Sequence, residues 1–134
     1  MKKFLLLIVA VLSLASCSAG NQNANRELSK DELKNYEPMA RDIVTAFLNK
    51  DFEILKERSD SNMKDFFEDT KNLDTAYEMI DSDGEFKKFL KADGIFTEES
   101  STYTVFQEVQ FNKTKRMFTI RFNNDKKLSG LFIK

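Results

Sequence analysis

Two residue types decide which chemistry is open to this chain: a single cysteine, Cys17, and no histidine at all. A lone thiol cannot close an internal disulfide, and with no histidine and no cysteine cluster zinc is not expected. The usual proton carrier near neutral pH is also missing. General-base work would fall to a carboxylate raised by burial. Glu108 is the one strand carboxylate amid apolar neighbours. Its parity sets it with Thr104 and Phe106, opposite the Tyr103–Phe111 stripe, which favours an exposed place. The four glycines, at positions 20, 84, 94 and 130, are scattered and make no phosphate loop. "DSDGE", Asp81 to Glu85, invites a calcium reading. An EF-hand loop needs a ligand five residues before its glycine, where this chain has Met79, so the segment reads as a polar turn.

The flanks of Cys17 are more specific. Met1-Lys2-Lys3 is basic, and Phe4 to Leu12, "FLLLIVAVL", is continuously apolar. That plan matches a secretory signal, and the run is shorter than the about 20 residues of a membrane span. Leu14-Ala15-Ser16-Cys17 resembles the bacterial lipobox. The resemblance implies cleavage between Ser16 and Cys17 and a diacylglyceryl group on the Cys17 sulfur. Two acyl chains suffice for stable anchoring, and an acylated thiol is no nucleophile. The expected location is a cell membrane, with the domain facing outside the cytoplasm. Ser18, not aspartate, follows the cysteine, so the known inner-membrane retention signal is missing; inner or outer membrane stays open. Losing Lys2 and Lys3 with residues 1–16 leaves 19 basic residues against 22 acidic. No basic field suits nucleic acid.

Behind the anchor, 17–28 reads as lipidated cysteine and flexible tether, with "SAGNQNANR" spanning roughly 15–30 Å. Residues 29–134 form the domain. Ser29 and Glu32 make a capping box. Leu33, Tyr36, Ala40, Ile43, Val44 and Phe47 then follow helical spacing. Pro38 predicts either a kink or a helix that starts firmly near it. Asp51 caps a short helix with Phe52, Leu55 and Ile54. A helix over 61–69 turns Met63, Phe66 and Phe67 inward, and another over about 72–80 turns in Leu73, Tyr77 and Ile80. "EFKKFLK" is ambiguous between strand and helix, and 92–100 carries turn signals.

Three strands close the chain: "YTVFQEVQF", with Gln107 the exception on its apolar face, "RMFTIRF" and "KLSGLFIK". The last is apolar on both faces. It is either covered twice or meets a second copy through Leu131 and Ile133, and Gly130 permits a bulge or close approach. Helices first and a meander last predict an α+β fold, with N-terminal helices packed on a curved antiparallel sheet around a conical pocket.

The closing run "RMFTIRFNNDKKLSGLFIK", with "FLNKDFEILKERSDSNMKDFF" upstream, resembles the DUF3887 family over about residues 38–134. The resemblance implies an NTF2-like or cystatin-like fold and transfers no catalytic residue and no cofactor. The reading is a membrane-anchored binding module, with Tyr77, Tyr103, Phe106, Gln107 and Arg121 as candidate pocket residues. The tyrosines double as core rings, and Gln107 and Arg121 as solvent-facing groups. The alternatives are an NTF2-like isomerase or dehydratase working through Glu108, and a structural subunit forming a homodimer through the sheet.

Overall fold

In the computed structural model, which describes residues 25–134, helix formation begins at Ser29. Ser16, Cys17, the leader and most of the tether lie outside the described residues. Ser29 Oγ accepts from the Glu32 N–H, and Glu32 Oε1 accepts from the Ser29 N–H. This capping box opens α1 (Lys30–Leu48), which buries Tyr36, Ala40, Ile43, Val44 and Phe47. The helix neither stops nor restarts at Pro38. Pro38 is exposed, so the carbonyl it leaves unpaired one turn earlier can be hydrated.

Asp51 caps α2 (Phe52–Arg58) and Asp60 caps α3 (Ser61–Glu68). Only Leu55 of α2 and Phe67 of α3 are buried. Ile54 and Phe66, expected to point inward, stay 39% and 37% exposed. Neighbouring helical residues lie about 100° apart, so one member of each pair must turn out. Thr70–Leu73 makes a 3-10 turn into α4 (Asp74–Asp83), which ends at Gly84 with φ +88°. A side chain at Gly84 would meet Asn112 Cβ at 2.9 Å.

Five strands form one antiparallel sheet in chain order: β1 (Arg26–Glu27), β2 (Phe86–Thr97), β3 (Thr102–Phe111), β4 (Lys115–Phe122) and β5 (Leu128–Ile133). The sheet does not close into a barrel. Arg26 to Glu27, read as tether, pair with Phe96 and Ile95, and the Leu28 N–H donates to Gly94 O. The segment ambiguous between strand and helix, together with two thirds of the expected turn, is the long strand β2. Its register shifts between Phe86 and Lys88 and again between Phe89 and Ala92.

On β3 the alternation holds: Val105, Gln107, Val109 and Phe111 are buried. Opposite them on β4 stand Ile120, Phe118 and Arg116. β5 carries a bulge at Ser129, since Arg121 pairs with Gly130 but Phe122 with Leu128. The extra residue restores Leu128, Leu131 and Ile133 to one face, all packed on the core, and leaves Phe132 outside, 46% exposed. A contact between copies through Leu131 and Ile133 would therefore displace core packing. The fold is α+β: four helices and then an open five-stranded sheet.

Candidate functional site

The expected pocket residues fall on opposite faces of the sheet. Toward the helices the space is filled with rings: Phe47, Phe67, Phe111, Phe118 and Phe122 are all fully buried. Tyr77 belongs to this packing. Its ring stacks on Phe47 at 4.7 Å, and its hydroxyl donates to Phe47 O at 2.7 Å, fastening α4 to the last turn of α1. Burial pushes its pKa up to about 12. Tyr103 stacks on Tyr36 at 4.4 Å and lies 4.6 Å from Phe96, over which the Arg26 guanidinium sits. Burial raises the pKa of Tyr36.

Gln107 is not solvent-facing. It is completely buried, and it repairs the second irregularity of β2. Its Nε2 donates to Leu90 O at 3.1 Å, to Lys91 O at 3.4 Å and to Glu108 O at 2.8 Å. Its Oε1 accepts from Arg41 Nε at 3.2 Å. A bulge takes carbonyls out of the ladder, and a buried carbonyl left alone costs about 1–3 kcal/mol. A carboxamide can serve both the carbonyls and the guanidinium; an apolar residue serves neither. Arg41 is aligned by Glu37 and lies 5.0 Å over the Phe89 ring.

Phe106 and Arg121 do come together, on the face turned away from the helices. They line a groove of about 460 Å³ with Ile95, Thr102, Thr104 and Ser129. Arg121 is exposed, its guanidinium 4.9 Å from the Phe132 ring centre. Among the described residues no carboxylate pairs with it. Gly130 makes room for its stem: a Cβ there would stand 3.3 Å from Arg121 Cδ. The bulge at Ser129 turns another hydroxyl into the groove. Chemically the groove offers one bidentate cationic donor, several hydroxyls and an aromatic wall. Glu108 lies on the same outer face, half-buried, opposite Met117.

The model of a family described as a protein of unknown function (DUF3887) matches residues 40–131, well over half of the chain. The chain belongs to the DUF3887 family. No curated protein and no solved structure matches it. The matched segment runs from the middle of α1 into β5, and so includes Phe106, Arg121 and Ser129 of the groove.

This DUF3887 domain also holds a buried ion pair that composition and spacing did not suggest. Asp83, at the end of α4, accepts from Arg116 Nε at 2.6 Å and from Arg116 Nη2 at 2.8 Å. The side chains are 5% and 15% exposed. The hydrogen bonds that Arg116 donates to Asp83 raise the arginine pKa. The pair ties α4 to β4, and the Asp83 carbonyl accepts from Lys113 N–H in the adjoining turn. The signal was parity: Arg116 shares a face with Phe118, Ile120 and Phe122, and a charge on an inward face needs a partner.

Proposed function

We propose that this DUF3887 chain is an extracytoplasmic lipoprotein with an NTF2-like domain, anchored through diacylglyceryl-Cys17, that binds a small anionic ligand on the outer face of its sheet. The leader and the Leu14-Ala15-Ser16-Cys17 motif support the anchor. Helices laid on one face of an antiparallel meander support the NTF2-like comparison. The observation that carries the binding reading is Arg121, held against Phe132 in a hydroxyl-lined groove and paired with no carboxylate among the described residues. An arginine so placed keeps its donors for an oxyanion.

The enzymatic alternative requires a carboxylate with a free oxygen on the helix side of the sheet. Glu108 sits on the other face, and both oxygens of Asp83 are engaged by Arg116. Binding without turnover is the better reading.

Two measurements test the proposal. Cells given labelled palmitate should label the chain, and Cys17→Ser should abolish both the label and membrane retention. Melting of the full chain in mild detergent should rise by several degrees with saturating glucose 6-phosphate or inorganic phosphate, and not with glucose. Arg121→Gln should remove the rise. No shift with either phosphate would sink the groove reading, whatever the palmitate result.

A further inference from the structure

The sheet has an open edge, and the open part is unusual in chemistry. β2 is 12 residues long, but β1 covers it only at Ile95 and Phe96, with one more hydrogen bond to Gly94. The chain then leaves the edge at Ser29 to enter α1, so β1 cannot follow β2 further. Among the described residues, no strand pairs with Phe86 to Asp93 on the side away from β3. That leaves roughly 25 Å of strand edge without a neighbouring strand, although the Leu90 and Lys91 carbonyls within it accept from Gln107 Nε2 and two register shifts interrupt it.

The side chains along this edge differ between the two faces. Toward the helices stand Phe86, 40% exposed, and Phe89, half-buried, in edge-to-face contact at 5.1 Å. Lys88 lies on the outer face in register with Gln110. Lys87 and Lys91 are exposed, each loosely paired with an exposed carboxylate, Glu85 at 3.6 Å and Asp93 at 3.5 Å. Lys88 has no carboxylate partner among the described residues. Lysines on an edge discourage pairing with another lysine-bearing edge. Two copies laid antiparallel along 86–93 would set three lysines against three, and like charges across a ladder are destabilising. The same lysines favour a strand that carries acids.

We infer that the β2 edge from Phe86 to Asp93 is a docking site for an extended acidic segment of a partner protein, which adds as a sixth strand. The period of two dictates its pattern: apolar side chains on the Phe86–Phe89 side alternate with carboxylates on the Lys88 side. Main-chain hydrogen bonds supply affinity, and the charges supply selection against a second copy. This edge shares no residue with the Arg121 groove, so the two readings stand or fall separately.

The test uses the full chain in mild detergent and a blocked fluorescent peptide of alternating glutamate and valine, EVEVEVEV. The peptide should bind and should slow amide exchange within 86–93. N-methylation at alternate residues, which removes the donors, should weaken binding at least about tenfold. Lys87→Glu, Lys88→Glu and Lys91→Glu together should do the same and should reverse the preference toward the lysine–valine peptide. These side chains are exposed, so melting of the triple variant should stay unchanged, and the N-methylated arm needs no protein variant. No binding, binding indifferent to N-methylation, protection outside 86–93, or a chain already dimerised through this edge would each overturn the inference.

Discussion

Glu32 concentrates more donors than any other surface carboxylate described. Arg26 reaches both of its oxygens, at 2.7 and 2.9 Å, and the Ser29 N–H reaches one of them at 3.0 Å. Those hydrogen bonds, Arg26 first, pull its pKa from 4.5 down to about 2. A carboxylate depressed by folding stabilises the native state above its unfolded pKa, and that contribution fades as pH falls toward the folded value. Melting temperature should therefore drop between about pH 4.5 and pH 2 more steeply in the natural chain than in Glu32→Gln, as a calorimetric series would read. Equal slopes would show that the bridge contributes nothing. Asp83 and Arg116 make a different case, because both are withdrawn from water. Asp83→Ala strands a guanidinium and should cost about 3–5 kcal/mol in urea unfolding. Replacing both residues by apolar ones of similar size should cost far less. The exposed Lys91–Asp93 pair should be worth under about 1 kcal/mol in the same assay.

At the scale of elements, α1 runs through its own breaker. Pro38 is exposed and forfeits a helical hydrogen bond. Pro38→Ala should therefore stabilise the domain by about 1–3 kcal/mol, raising both the melting temperature and the urea midpoint; an unchanged midpoint would mean that the loss is already compensated. Irregular backbone also explains what the sequence leaves unreadable. The faces of α1, β3 and β4 follow simple periods, so Tyr36, Ile43, Phe47, Val105, Phe118 and Ile120 could be placed before any coordinates. β2 could not, because two register shifts break its alternation and its edge position fills it with lysines. β5 appeared apolar on both faces for a similar reason: one extra residue at Ser129 switches the parity halfway. The site suffers from the same effect. Phe106 and Arg121 share an outer face that alternation alone predicts, whereas Gln107 looked anomalous until the Leu90 and Lys91 carbonyls were seen to require it.

The whole molecule is graded in firmness from its centre to its first residues. β3 and β4 lie inside the sheet, between neighbours on both sides, and carry Val105, Val109, Phe118 and Ile120 at zero exposure. Their amides should exchange slowest and report global unfolding, while the outward amides of 86–93 and those of β1 should exchange by local opening. Protection of 86–93 equal to that of β3 would show the edge to be covered. The grading has a mechanical corollary. Traction applied at Asn25 meets β1 first, and β1 offers two paired residues, Leu28 seated on Gly94, and the Arg26–Glu32 clasp. The first fully packed side chain beyond it is Tyr36. A tug on this end would peel the opening residues away like a tab and spend itself there, releasing no more than about 2 nm of chain while the helices and the central strands stay shut.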